Sequence, residues 1–321
     1  MTTKRGQQVI AIEEHYWDLE VSAQLTTADA GGPTAIQERL EDLGELRIRE
    51  MDEAGIDVQV LSHAPPATQR MAPEMSVAMS IGANDRLAEF VSTQPDRFAA
   101  FAALPTPDPQ ASADELERTV TKLGFKGAMI HGLTDGVFFD DKRFWPVFER
   151  AQALDVPLYI HPAMPHPAVI DAYYKPYTDD YPGFLTAGWG FTVETATAGI
   201  RIVLSGVLDK YPGTEIILGH MGEGLPFLLW RIDSALARPG NKPMAFRDAF
   251  SEHFYITTSG NFSDPALLCC IQELGVDRIL FSVDYPFVMN PPGVEWMESI
   301  HLNNEDKDKI LNGNAKQLLK L

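Results

Sequence analysis

Residues 9–15 read Val-Ile-Ala-Ile-Glu-Glu-His. The unbroken apolar run Val9–Ile12 is what a parallel strand covered on both faces requires. The residues after it decide between two architectures. A doubly wound nucleotide-binding sheet would place a glycine-rich phosphate loop there. Here Glu13, Glu14 and His15 follow instead. A first strand that runs straight into acids and a histidine suits a (β/α)8 barrel, where catalytic groups collect at the C-terminal ends of the strands.

Seven more short β-rich runs support that reading: 58–61, 98–104, 127–130, 157–160, 215–218, 255–258 and 278–283. Between them lie stretches of helical spacing. Examples are Leu116, Val120 and Leu123 before a stop at Gly124, the runs 144–154, 193–208, 225–236 and 265–274, and a closing helix over 306–321. Strands alternating with helices predict an α/β fold, a (β/α)8 TIM barrel. With no flexible linker, residues 1–321 are read as a single barrel domain. Two connections are long, Trp17–Pro33 after strand one and the aromatic-rich Ala163–Gly190 after strand five. Such connections usually cover the active site or make oligomer contacts.

The net charge of −19 makes nucleic acid an improbable partner, because an acidic surface repels phosphate backbones. No apolar run approaches the roughly 20 residues a membrane helix needs. The opening MTTKRGQQ lacks the apolar stretch of a signal peptide. Cys269 and Cys270 are adjacent, a poor geometry for a disulfide, and read as reduced core residues. A cytoplasmic location is therefore expected.

Acids and histidines fall at strand ends. Glu13 and His15 are two apart and share a face of strand one, leaving Glu14 to point into the helix layer or solvent. His161 ends strand five in YIHP, and Asp284 ends strand eight in SVDYP. Two imidazoles and two carboxylates converging at a barrel mouth suit one divalent metal such as Zn2+ or Mn2+. Taken singly, each has a plain structural alternative: a hydrogen-bonded histidine, or an acid capping a loop. Four strand ends offering ligand chemistry together outweigh it. His220 ends strand six in GHMGEG, with Glu223 three residues on. Glu223 either orients the imidazole or simply favours the first turn of the next helix. Arg231, within LPFLLWRID, wants a partner: Asp233, a neighbouring subunit, or a substrate carboxylate. His63 and His131 end strands two and four and are candidates for the rim. His166 reads as a solvated loop residue, His253 and His301 as structural. GxSxG, HExxH and CxxC are all absent, which removes support for serine hydrolase, zincin and zinc-ribbon readings.

The stretches IAIEEH (10–15), ANDRLAEF (83–90), PDRFAAFAALP (95–105), LGFKGAMIHG (123–132), DVPLYIHP (155–162), GHMGEGLPFLLWRID (219–233), ITTSGNF (256–262) and DRILFSVDYPF (277–287) span nearly the whole chain. In them the sequence resembles the amidohydrolase superfamily. Within it, the chain is similar to the metal-dependent non-oxidative arene decarboxylases of the γ-resorcylate and 2,3-dihydroxybenzoate type. ExH stands where hydrolases of the superfamily usually carry HxH. The resemblance implies one divalent metal per chain (Zn2+ or Mn2+, with Mg2+ a lesser candidate) held by Glu13, His15, His161 and Asp284. It implies a catalytic His220 backed by Glu223, and an Arg231 near the substrate. It further implies a small aromatic acid substrate of the ortho-hydroxybenzoate class and a homo-oligomer, tetramer or dimer. Asp284 is the expected proton donor, with His220 assisting. Two rivals remain at this point: a metal-dependent hydrolase of a lactone, amide or ring-cleavage product, and a binding protein with a structural metal. The regions 16–35 and 163–188 depart from the family pattern.

Overall fold

The computed structural model describes residues 7–25, 33–240 and 245–321. Part of the long connection after strand one, residues 26–32, thus lies outside the described residues, as does the start of the chain, residues 1–6. Among the described residues nine parallel strand segments follow one another around the sheet: β1 (Ile10–Tyr16), β2 (Val58–His63), β3 (Phe98–Ala100), β4 (Ala102–Ala103), β5 (Ala128–His131), β6 (Leu158–His161), β7 (Ile216–Leu218), β8 (Phe254–Thr257) and β9 (Ile279–Leu280). β3 and β4 are the predicted third strand, interrupted at Phe101: β3 pairs with β2 and β4 with β5. The ring closes where the chain beyond β9 meets β1. There Glu14 and Tyr285 form a parallel bridge, and His15 N–H donates to the Tyr285 carbonyl at 2.6 Å. The fold is the expected (β/α)8 barrel.

Helices fill the crossovers. Asp108 caps Pro109–Leu123 by accepting from Ala111 N–H, and Gly124 ends that helix at φ +76°, a left-handed position that glycine takes without steric cost. Two further helices, Phe246–His253 and Asn290–Ser299, lie outside the helical stretches expected above, although Phe246, Phe250 and His253 stand at helical spacing and are buried on one face. Among the described residues no helix is long and apolar enough to cross a membrane. Cys269 and Cys270 are both free thiols, and only Cys270 is buried.

Two apolar layers set the faces of the strands. Ile10, Ile12, Val60, Phe101, Met129, Tyr159 and Ile217 pack together, with Ala315 and Leu319 of the last helix against them. Ala11, Leu61, Ala128, Ile130, Leu158 and Ile160 pack toward the helices. Plain alternation along β1 would carry Ile10 and Ile12 on to Glu14. The register instead shifts between Ala11 and Glu14: Ala11 faces Gln59 and Glu14 faces Leu61, so β1 holds one extra residue. This bulge hands the inner face to Glu13 and His15.

Candidate active site

Glu13, at the bulge, is fully buried and divided in its bonding. Its Oε2 accepts from the Tyr159 and Ser259 hydroxyls and, at 3.3 Å, from Thr257 Oγ1. Its Oε1 has no hydrogen-bond partner. Gly219 leaves room for this clamp, since a Cβ there would lie 2.9 Å from Glu13 Oε2. His15 is also fully buried. Its Nδ1 lies 3.2 Å from Ser62 Oγ, which turns Nε2 toward Asp284 Oδ1 at 3.3 Å. His161 Nδ1 bonds the Pro162 carbonyl at 2.7 Å, so Nε2 is left facing Glu13 Oε1 at 3.2 Å.

One ligand-type atom from each of Glu13, His15, His161 and Asp284 lies within 4.8 Å of the others. Glu13 Oε1, His15 Nε2 and Asp284 Oδ1 are buried without a hydrogen-bond partner. A buried polar atom left unpaired is costly, and three aimed at one point are costlier still. A divalent cation satisfies all three, and mixed imidazole and carboxylate donors suit Mn2+ or Zn2+. The residues present fit the group.

His220 stands beside this cluster. Its Nδ1 lies 2.9 Å from Glu223 Oε1, and its Nε2 is 3.7 Å from Glu13 Oε1 and 3.6 Å from Asp284 Oδ2. Burial would lower the imidazole pKa, but the surrounding Glu223, Glu13 and Asp284 carboxylates raise it well above its ordinary value. Glu13 shows the converse: burial opposes its charge, yet the imidazoles of His220, His161 and His15 hold its pKa far below the carboxylate range. The backbone here is unusual. His220, Met221, Gly222, Glu223 and Gly224 all have positive φ, between 50° and 76°. Left-handed non-glycine residues cost on the order of 1 kcal/mol or more each and cluster at functional sites. The turn is tied down by His220 N–H donating to Ser259 Oγ at 3.1 Å, the hydroxyl that also clamps Glu13.

The site opens into a cavity of about 400 Å3. His161, His220, Glu223 and Asp284 line its polar end, and Trp17, Leu40, Met164, Phe191 and Phe287 contribute to its apolar wall. The two long connections therefore do wall the site, through Trp17 and Pro33 of one and Ala163, Met164, Thr186 and Ala187 of the other.

Several expectations change. Glu14 points neither to solvent nor loosely among helices; it is fully buried at the seam between β1 and the end of the barrel. Burial pushes its carboxyl up to about 8, against the pull of the Val283 and Tyr285 N–H groups and of Arg47. His63 and His131 do not line the cavity. His63 bonds the Ala64 carbonyl through Nδ1 and accepts from Asp18 N–H, while burial pushes its pKa down to about 4. His131 bonds the His63 carbonyl and stands 3.3 Å behind His161 Nδ1, as a buttress. His166 is half-buried, its N–H donating to Glu194 Oε1 at 3.3 Å. His253 is structural as expected, bonding the Thr214 carbonyl. Arg231 is exposed on the helix Leu225–Leu236, outside the cavity lining, and makes no ion pair with Asp233, whose Oδ1 accepts from Arg247 N–H. Tyr159, Thr257 and Ser259 escape sequence reasoning: an isolated hydroxyl carries no spacing signal, although Thr257 and Ser259 both fall in the ITTSGNF stretch.

A barrel with this cluster at its C-terminal rim defines a metal-dependent amidohydrolase-type fold, and residues 10–321 match the amidohydrolase family, to which the chain belongs. Within that family its similarity is to decarboxylases. A γ-resorcylate decarboxylase of Polaromonas sp. is 42% identical, over 97% of this chain and 98% of its own length. The crystal structure of a 2,6-dihydroxybenzoate decarboxylase complexed with 2,6-dihydroxybenzoate superposes with a TM-score of 0.90 at 39% identity, covering 98% of this chain and 100% of the other. A dihydroxybenzoic acid decarboxylase from Polaromonas sp. with bound manganese and the inhibitor 2-nitroresorcinol gives a TM-score of 0.90 at 41% identity, covering 98% and 97%.

Proposed function

We infer that this chain is a carboxy-lyase that removes CO2, without oxidation, from an aromatic acid of the ortho-hydroxybenzoate class. The observation that carries the reading is the convergence of three unpaired buried ligand atoms beside the hydrogen-bonded His220–Glu223 pair. Glu13, His15, His161 and Asp284 would hold one divalent cation, Mn2+ foremost, with Zn2+ and Mg2+ as alternatives. When bound, the cation supplies positive charge that holds and orients a carboxylate and its neighbouring phenolate oxygen.

An aryl carboxylate resists loss of CO2 because the departing electron pair would be stranded in an sp2 orbital. Protonation of the ring carbon that bears the carboxylate removes the difficulty: a C–H bond forms, the C–C bond to CO2 breaks, and its electron pair restores the aromatic ring. Asp284 is the donor in this reading. Its Oδ2 faces His220 Nε2 at 3.6 Å, a path by which its proton is replenished. Glu223 fixes the imidazole so that Nε2 points at the cluster. The part of the cavity wall formed by Trp17, Leu40, Met164, Phe191 and Phe287 is apolar, which suits an aromatic ring.

The rest of the reading follows from surface and connectivity. Residues 1–321 act as one domain, since the cluster draws on both ends of the chain. Phe227 and Trp230 are 81% and 71% exposed on the helix that carries Arg231, which supports assembly as a homo-oligomer, dimer or tetramer. Arg231 then meets a neighbouring subunit or its substrate. The protein works in the cytoplasm.

The test is turnover of 2-hydroxybenzoate-type acids in D2O. The expected result is CO2 release with one deuterium on the carbon that lost the carboxylate. Hydrolysis of a lactone, amide or ring-cleavage product with incorporation of solvent oxygen, and no CO2 from hydroxybenzoates, would overturn the reading in favour of a hydrolase.

A further inference from the structure

Glu14 has no part in the chemistry above, yet it is fully buried and its side chain is fully engaged. Oε1 accepts from Val283 N–H at 3.0 Å and from Ser282 Oγ at 3.3 Å. Oε2 accepts from Tyr285 N–H at 3.2 Å and lies 3.5 Å from Gln59 Nε2. Val283 and Tyr285 are the two neighbours of Asp284, so one carboxylate brackets that residue from both sides. Asp284 sits at φ +75°, a conformation that non-glycine residues leave when unrestrained. Its own N–H donates to the Glu13 carbonyl at 3.1 Å.

A buried cation stands behind this bracket. Arg47 is fully buried, donates to Gln59 Oε1 at 3.1 Å and to the His15 carbonyl at 2.5 Å, and places its guanidinium 4.7 Å from the Tyr285 ring centroid. The Gln59 amide thus stands between the carboxylate and the guanidinium, and the same three side chains reach the main chain at His15 and on either side of Asp284. A structural brace for the barrel seam alone would not need its two oxygens divided across a single strained residue.

We propose that Glu14 is a positioning residue: it holds Asp284 in its left-handed conformation and so keeps Asp284 Oδ1 aimed at Glu13, His15 and His161. The proposal rests on the reading that this cluster holds a divalent cation. Glutamine at this position keeps the volume but presents an NH2 to one of the two flanking N–H groups, so the bracket opens on one side.

The test is Mn2+ binding to metal-stripped protein by calorimetry, well below the unfolding temperature, for the wild type and Glu14→Gln. The expected result is a dissociation constant raised about 10- to 100-fold, the usual consequence of losing a group that orients a ligand. A folded Glu14→Gln with Mn2+ affinity within about twofold of wild type would overturn the proposal, whatever its unfolding temperature, because a purely structural brace changes stability and leaves the folded site intact. If Glu14→Gln fails to fold, Glu14→Asp takes the same measurement against the same threshold, and its failure to fold would also overturn the proposal. Wild type that binds no Mn2+ defeats both the proposal and the metal reading. Wild type that binds Mn2+ but releases no CO2 from hydroxybenzoates defeats the decarboxylase reading alone.

Discussion

The floor of the site and the layer outside it are built on opposite terms. On the floor, Glu13 and His15 are 0% exposed, and almost every polar atom not aimed at the cluster has a named partner. Outside it, Tyr173, Tyr181 and Trp189 of the long connection after β6 are 52–66% exposed, and Phe227 and Trp230 project from the helix after β7. Strand ends and buried hydroxyls fix the floor. The outer layer rests on ring contacts, such as Tyr174 against Phe184 at 5.1 Å, and on short helical turns. On the reading proposed above, chemistry belongs to the floor, and substrate choice and assembly to the layer above it.

Chelation strikes the floor hardest. Stripping the metal should abolish turnover, and restoring Mn2+ should return it; a metal-free preparation with full activity would erase the distinction between the two regions. Next come the neighbours of the cluster. His220→Asn should keep the fold and Mn2+ binding but lose about 10²- to 10⁴-fold in kcat, the range of a general acid–base group. Glu223→Gln, acting only through the imidazole, should lose about 10- to 100-fold. Steady-state kinetics in which the two losses come out reversed would make Glu223 more than an orienting group. The smallest effect belongs to the outer layer. Trp230→Glu should leave Mn2+ affinity unchanged and move chain stability by no more than about 0.5 kcal/mol. Light scattering should nevertheless report a smaller assembly. An unchanged mass would remove this helix face from the contact between subunits.

What could be read from the sequence follows the same division. The barrel was legible because its strands are continuous apolar runs, and His161, His220 and Asp284 because each ends such a run. The four-residue cluster was legible as a constellation. The position of Glu14 was only half legible. Alternation separates it from Glu13 and His15, but nothing local reveals that the chain beyond β9 supplies backbone donors on its side of β1. The β1 bulge was hidden because it is defined by pairing with β2, a non-local fact. Arg231 was legible as a charged residue in an apolar stretch, but a single chain does not bury it. Tyr159, Thr257 and Ser259 were beyond reach because their significance comes from meeting Glu13 across the barrel.

The left-handed run 220–224 bears on how this chain could be redirected to another acid. Five consecutive residues in a sparsely populated backbone region leave little sequence freedom. A Cβ at Gly222 would come within 2.8 Å of Ile256 Cγ2, in addition to its strained φ of +69°. A library over 219–224 selected for turnover would keep glycine at 219 and 222, where a Cβ meets a neighbour, and His220 and Glu223 for their chemistry. Met164, Thr186, Ala187 and Phe191 face the same cavity, and none of them has a positive φ. Variation directed at those four can reshape the acid-binding wall while the imidazole stays in the single backbone shape that presents it.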